Sequence, residues 1–237
     1  CEPAFVKQVA AELARVYALT EEDVARVTSY NAHRLFGVGE SPRAGAVVYE
    51  IRGALYLNLT NRCSNACRFC PRETTFAVKG HDLRLEKDPS VEEVIAAIGD
   101  PSPYSEIVFC GFGEPTLRLE DLKRVARWVK ERAPGKRVRL NTNGQGSLVN
   151  GRPICAELKG LVDSVSISLN AADRPSRGPE AYDAVLAFIE EARDTLPEVT
   201  VTTLDMPGGD VEACRRVAER LRVPLRVRKY DDVGTLR

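Results

Sequence analysis

The sequence has no long apolar run and no net charge. No stretch approaches the ~20 consecutive apolar residues that a membrane-spanning helix needs. Its first residues, CEPAFVKQVA, lack a basic region followed by an apolar one, so they do not read as a secretory signal. Lys and Arg number 34 and Asp and Glu also 34, which argues against a general polyanion-binding surface while leaving room for a local basic patch. The seven cysteines are an odd count, and three of them fall within eight residues. That is no disulfide scaffold; it points to metal or redox chemistry in a reducing compartment. Of the 237 residues, 43% are hydrophobic and 29% charged. This is the make-up of a globular chain, long enough for one large domain or one domain with an appendage.

Residues 4–17 place Phe5, Val6, Val9, Leu13, Val16 and Tyr17 on one helical stripe. Thr20, followed by Glu21, Glu22 and Asp23, predicts an N-cap with acids in the first turn of a second helix, running to about His33. The glycines and proline between Gly37 and Gly45 then mark a boundary. Two short helices cannot bury a core alone, so they are expected to pack on the later domain, a partner or a further domain.

From Val47 the pattern alternates. Val47–Ile51 and Ala54–Thr60 predict two strands joined at Arg52-Gly53 as a hairpin. Further strands are expected at Glu106–Cys110, Arg137–Asn141, Asp163–Leu169, Val199–Leu204 and Pro224–Lys229. Helical patterns lie between them at Val91–Ile98, Leu119–Arg132, about Pro153–Lys159, Pro179–Thr195 and Val211–Leu221. Such alternation predicts a parallel sheet with right-handed crossovers. A complete eight-unit barrel needs about 250 residues, so an open barrel or a doubly wound sheet is expected. In either, the site lies at the C-terminal ends of the strands. The basic stretches Lys123–Arg132 and Arg215–Arg228 read as solvated faces rather than a nucleic-acid stripe.

Three features fall at those strand ends. The first is Asn61-Arg-Cys63-Ser-Asn-Ala-Cys67-Arg-Phe-Cys70-Pro71. Its i, i+4, i+7 spacing suits one face of a buried helix, but Asn61, Ser64, Asn65 and Pro71 punctuate it and few apolar residues accompany the cysteines. A structural Cys₃His zinc site with His81 is a rival. Three thiolates on a wrapped loop can instead hold a [4Fe–4S] cluster with one iron open to a ligand. The second feature is Cys110-Gly111-Phe112-Gly113-Glu114-Pro115-Thr116, a turn in which Gly113 allows close backbone approach and Glu114 offers an acceptor to an ammonium. The third is polar: Asn141-Thr-Asn143-Gly144, and Ser166, Ser168 and Asn170 alternating on one side of a strand. Asn143-Gly144 also reads as simple turn chemistry. Polar groups facing a barrel interior are costly unless they bind something. Cys1, Cys110, Cys155 and Cys214 are isolated and read as buried thiols by default, and His33 and His81 as surface or capping residues.

Cys63-x₃-Cys67-x₂-Cys70, with Phe69 immediately before the third cysteine, resembles the signature of the radical S-adenosylmethionine (radical SAM) superfamily. The resemblance covers about residue 46 to the C-terminus and implies an open partial (β/α)₆ TIM-like barrel, an α/β fold. It implies that Cys63, Cys67 and Cys70 bind a [4Fe–4S] cluster and that Phe69 helps hold the adenine of SAM. Gly111, Gly113 and Glu114 are similar to the family's Gly-Gly-Glu motif, which meets the SAM amino group; Phe112 at the middle position departs from it. Asn141, Ser168 and Asn170 fall where related enzymes contact the ribose and the methionine carboxylate, and Leu204-Asp-Met206-Pro-Gly208 falls near the adenine. The implied activity is reductive cleavage of SAM to a 5′-deoxyadenosyl radical that abstracts hydrogen from a substrate the sequence does not identify. An external one-electron donor of flavodoxin or ferredoxin type, and a cytoplasmic setting, are implied with it.

A narrower resemblance rests on Tyr56-Leu-Asn-Leu-Thr-Asn-Arg-Cys63 and Val227-Arg-Lys-Tyr-Asp-Asp-Val-Gly234, which look like radical SAM proteins linked to TatD-type hydrolases. Residues 1–37 resemble the last two helices of such a hydrolase, without its metal-binding barrel. The expected organisation is a two-helix tail at 1–37, a linker at 38–46 and a radical SAM domain at 47–237. The missing initiator Met agrees with a piece of a longer fusion. The rival reading is a non-catalytic or zinc-binding accessory module of such a hydrolase.

Overall fold

The computed structural model describes residues 2–40, 45–67, 69–73, 75–170 and 179–230. Cys1, residues 41–44 of the expected linker and residues 231–234 of the C-terminal run lie outside them. The chain begins with a short 3₁₀ turn, Pro3–Phe5, and helices α1 (Val6–Tyr17) and α2 (Glu21–Phe36). The sheet strands are β1 (Val48–Ile51), β2 (Ala54–Leu57), β5 (Ile107–Phe109), β6 (Val138–Thr142), β7 (Ser164–Ser168), β8 (Glu198–Asp205) and β9 (Leu225–Lys229). A separate small hairpin is formed by β3 (Ala77–Val78) and β4 (His81–Asp82). The remaining helices are α3 (Val91–Ile98), α4 (Leu119–Arg132), α5 (Gly146–Val149), α6 (Cys155–Leu158), α7 (Pro179–Thr195) and α8 (Val211–Arg220).

The large sheet runs β1-β2-β5-β6-β7-β8-β9. β1 is antiparallel to β2, and every later neighbour is parallel. The six parallel strands lie in chain order, with no reversal. A doubly wound sheet would switch direction at a crevice, so this is the winding of an open (β/α)₆ half-barrel. Arg52 and Gly53 both take positive φ (56° and 72°), the geometry of a two-residue hairpin turn between β1 and β2. The β3–β4 hairpin, which the sequence reading passes over, turns the same way at Lys79 and Gly80. Its strands of two residues are too short to show alternation.

Local signals set the helix bounds. Ser90 caps α3 in a reciprocal box with Glu93. α4 buries Leu119, Leu122, Val125, Ala126 and Val129 at helical spacing against Ile107, Phe109, Val138 and Leu140 of the sheet. Each such large side chain, sealed from water, contributes about 2 kcal/mol. No helix among the described residues is long and apolar enough to cross a membrane.

α2 runs three residues past the expected His33 and stops at Gly37, which is left-handed (φ 68°). Thr20 and Asp23 form the expected cap as a full capping box. Asp23 does more than cap: it is fully buried, pairs with Arg26, and accepts the Arg52 backbone N–H at 2.9 Å. Arg26 donates in turn to the Lys79 carbonyl at 2.9 Å. Two helices that could not form a core are thus pinned to both hairpin turns of the barrel. Burial would raise the Asp23 pKa, but the Arg52 N–H, the Arg26 guanidinium and the Thr20 N–H outweigh it and hold it below the usual carboxylate value. A lowered carboxylate stabilises the fold above its unfolded pKa, about 3.9, and loses that contribution as pH falls through the folded value. Asp23→Asn is therefore expected to lower stability by about 3 kcal/mol at pH 7. The gap from wild type should close in thermal melts below pH ~4; a gap that stays constant with pH would refute the charge-based pinning.

Candidate active site

The Cys63–Cys70 loop leaves the C-terminal end of β2, the first parallel strand, and is braced from three sides. Asn58, fully buried just past β2, donates through Nδ2 to the carbonyls of Ala46 (3.0 Å) and Leu83 (2.9 Å). Asn61 accepts the Leu85 N–H at 2.7 Å. Arg72 reaches back across the loop to the carbonyls of Asn61 and Asn65, both at 3.0 Å, and its Nε donates to Cys70 Sγ at 3.3 Å. Burial works against the Arg72 charge, but Cys70, Cys63 and Cys67 all favour it, and the net pKa is raised. One guanidinium is therefore close enough to feel all three sulfurs.

The Gly-x-Gly-Glu turn beyond β5 presses directly on this loop. A Cβ on Gly113 would stand 2.1 Å from the Thr60 carbonyl oxygen and 2.7 Å from that of Arg62. A Cβ on Gly111 would stand 2.3 Å from Asn58 Oδ1. Close approach is what the sequence leads one to expect of Gly113, but the partner is the protein's own backbone. The Glu114 N–H completes the seam by donating to the Arg62 carbonyl at 2.8 Å.

The Glu114 side chain is 2% exposed. Its Oε1 accepts from the Thr116 N–H (3.1 Å), the Thr116 hydroxyl (2.7 Å) and the Thr142 hydroxyl (2.8 Å). Its Oε2 accepts from the Asn143 N–H at 2.7 Å. Burial raises its pKa against the pull of these four donors. The carboxylate thus ties β5 to the turn after β6, and its remaining acceptor capacity is on Oε2. Glu114→Gln turns an NH₂ toward one of these donors. It is expected to cost about 2 kcal/mol and to lower the melting temperature; an unchanged melt would show that the clamp carries no load.

Asn143, which the sequence offers as a turn residue, is the link to the cysteines. Its Nδ2 donates to Ser64 Oγ at 2.8 Å and lies 3.8 Å from Cys63 Sγ, while its Oδ1 accepts the Gln145 N–H at 2.9 Å. Gln145 in turn donates to Asn65 Oδ1 at 2.9 Å. Burial raises the Cys63 pKa, and Glu114 adds to it; the Asn65 N–H, Arg72 and Asn143 oppose it. The turn chemistry of Asn-Gly and the contact to the cysteine loop coexist in one residue. Arg72 and Gln145, and the partner of Asn143, are not visible in the sequence because these contacts lie across loops, a relation that spacing along the chain does not carry.

The other expected residues sit on the inner face of the sheet, away from this seam. Asn141 pairs in register with Ser166 and accepts from Arg139 at 3.0 Å. Ser168 pairs with Thr202, and Asn170 Oδ1 accepts the Leu204 N–H at 3.1 Å. Met206 follows β8 in a turn closed by the Gly209 N–H at 3.0 Å. Phe69 is half-buried in the cysteine loop. Phe112 meets Phe76 edge-on at 6.1 Å between centroids, and Arg84 lies 4.7 Å over Phe76.

His81 is not near the thiols in role: its Nε2 faces the Glu50 carbonyl at 3.0 Å and its ring leans on Tyr49. It joins no group of three that could hold a metal among the described residues, which leaves the Cys₃His zinc set without support. Among the described residues no three His, Cys, Asp or Glu side chains are drawn together as a group that could hold a metal ion, the three cysteines included. The three half-buried thiols on one braced loop, near a shared cation, fit a cluster by the chemistry of the donor set. Cys155 and Cys214 are buried thiols as expected, whereas Cys110 is half-buried and its carbonyl accepts from Tyr49 at 3.1 Å.

Several known proteins share this sequence pattern. A probable GTP 3′,8-cyclase of Thermococcus kodakarensis is 27% identical over 161 residues, 65% of this chain and 48% of that protein. A GTP 3′,8-cyclase of Moorella thermoacetica is 38% identical over 95 residues, 38% of this chain and 27% of that protein. A probable dual-specificity RNA methyltransferase RlmN of Chlorobium phaeobacteroides is 27% identical over 154 residues, 60% of this chain and 40% of that protein. The chain spans about half or less of the length of these curated relatives. The family model of the radical SAM superfamily matches residues 57–221, so the chain belongs to that superfamily of enzymes, which use a [4Fe–4S] cluster and SAM.

Proposed function

We propose that Cys63, Cys67 and Cys70 hold a [4Fe–4S] cluster at the mouth of the half-barrel and that the enzyme cleaves SAM there reductively. The observation that carries this reading is the seam in which the cysteine loop, the Gly111–Glu114 turn and Asn143 are locked together at the C-terminal strand ends. When bound, the cluster supplies one electron to the sulfonium of SAM, releasing methionine and a 5′-deoxyadenosyl radical that takes hydrogen from the substrate. The chain's own residues bind and orient. Arg72 offsets the negative charge of the three thiolates. The seam around Gly113 fixes the loop against the barrel, and Phe69 offers an aromatic face for adenine. Asn141, Ser168 and Asn170 line the sheet face on which SAM would extend, and Glu114 Oε2, with one donor, keeps acceptor capacity that an ammonium could use only if the buried carboxylate were uncovered.

An external one-electron donor of flavodoxin or ferredoxin type belongs to this reading, because none of the side chains described supplies an electron at so low a potential. The cyclase and methyltransferase names of the relatives leave the substrate open between small nucleotides and RNA. Residues 1–37 are read as a docked appendage, 38–46 as its linker and 47–237 as the catalytic domain. The likeness of that appendage to a TatD-type tail rests on the quoted residue runs alone. The test is anaerobic: reconstitution with iron and sulfide, then dithionite and SAM, with 5′-deoxyadenosine as readout. Iron near four per chain, as a [4Fe–4S] cluster requires, with 5′-deoxyadenosine formation bears the reading out. A colourless protein that retains zinc overturns it.

A further inference from the structure

β9 belongs to a stretch whose arginines read, in sequence, as a solvated face; Arg226 and Arg228 are indeed exposed, and the register says which face of the sheet they stand on. Thr202 of β8 pairs with Ser168 on one side and Arg226 on the other, and Leu204 pairs with Arg228. The same row continues inward, with Ser166 opposite Asn141, and Arg139 opposite Val108, which is opposite Tyr56. Side chains in register share a face of the sheet, so Arg226 and Arg228 stand on the inner face with Arg139, Asn141 and Tyr56.

The charges on that face do not balance. Glu106 is taken up by Arg139 at 2.7 and 3.1 Å, and Glu198, at the opposite end of the strands from the cysteine loop, by Arg137. Arg226 and Arg228 have no ion-pair partner among the described residues. Both arginine side chains are exposed, and what shielding Arg228 has lowers its pKa first. Arg226 and Arg139 lower it further, while Cys110 and Tyr56 act the other way. The register places Tyr56 of β2, Arg139 of β6 and Arg228 of β9 on that one face. Arg139 also lies 6.0 Å over the Tyr56 ring. Guanidinium groups sharing one sheet face without an ion-pair partner among the described residues favour an anion, and their planar forks suit phosphate or carboxylate oxygens.

We infer that Arg226 and Arg228, backed by Arg139, form the anion-binding part of the substrate site, for a substrate bearing a phosphate or carboxylate group. Arg228 lies near the C-terminal end of β9, the same end of the sheet from which the cysteine loop leaves β2. The inference rests on reading the interior as the reaction chamber, but its test does not depend on turnover. Pyrophosphate, and separately citrate, is titrated calorimetrically into the full chain. At least one should bind saturably, and the double variant Arg226→Gln/Arg228→Gln should weaken it about tenfold or more. Arg228→Lys, which keeps the charge, should lose about threefold. Arg220→Gln, at the exposed end of α8, should bind like wild type. Preference for pyrophosphate assigns a phosphorylated substrate, and preference for citrate a carboxylated one. Absence of saturable binding, equal binding by the double variant, or a loss of SAM affinity in place of anion affinity overturns the inference. Failure of wild-type SAM cleavage would instead sink the radical reading, and the titration would still decide the anion site.

Discussion

In Cys67→Ala, iron retained after reconstitution should fall well below wild type, and 5′-deoxyadenosine formation should fall to the level of a buffer blank. The argument is one of donor count. In the reading proposed above, three thiolates are the protein's whole contribution to a cluster with one open iron, so the loss of one leaves two. The contrast is with the other cysteines. Cys214 donates to the Leu169 carbonyl at 3.0 Å and receives the Thr203 hydroxyl, and the Cys155 N–H donates to Glu191 at 2.7 Å. Burial pushes the Cys155 thiol well above the usual cysteine range, away from useful thiolate chemistry, with Glu191 adding to it. Cys155→Ala and Cys214→Ala should therefore cost stability, about 1–2 kcal/mol each, and leave the iron count unchanged. A Cys67→Ala protein that still cleaves SAM reductively would remove the loop from the chemistry.

Gly113→Ala should be as damaging to the site by a different route. The added methyl meets two carbonyl oxygens, at 2.1 and 2.7 Å, and both belong to backbone at the start of the cysteine loop. Neither can swing aside as a flexible side chain would. Overpacking in such a place costs about 3 kcal/mol or displaces the loop. Displacement would break the Glu114 N–H bond to Arg62 and slacken the Asn143 contact to Ser64. The expected result is a chain that keeps its circular dichroism, because the clash is with the backbone of Thr60 and Arg62 and with no helix, but retains far less iron. Full iron retention in Gly113→Ala would show that the seam does not hold the loop.

These two sites differ in how far the sequence reveals them. The cysteines are legible because closely spaced thiols on a punctuated loop have few other uses. The glycines are legible as places of close approach, but residue type does not say what approaches; here it is Thr60 and Arg62 rather than a ligand. The frame was readable for the same local reasons that form it. Ser90 with Glu93, and the apolar spacing of Leu119 to Val129, mark α3 and α4 to the residue. The six-fold β/α alternation fixes a half-barrel once the strands are known to lie in chain order. Contacts across loops leave no such trace: Arg72 among the sulfurs, Asn143 on Ser64, Gln145 on Asn65. Arg228 is solvated as its sequence suggests; what the sequence does not say is which face of the sheet it stands on, because the inner face of an open barrel alternates in polarity much as an outer one does.

β9 is the last strand of the sheet and pairs only with β8 among the described residues. An unpaired strand edge is a template for another chain, and charged side chains are a common means of blunting it. Arg226, Arg228 and Lys229 put cations on both faces of that edge. Two copies meeting edge to edge would bring like charges together at strand spacing, ~4.8 Å, so the arginines that await an anion also keep the molecule from adding to itself. A bound polyanion would mask that repulsion, and light scattering should find the chain more prone to associate when its interior is filled than when it is empty.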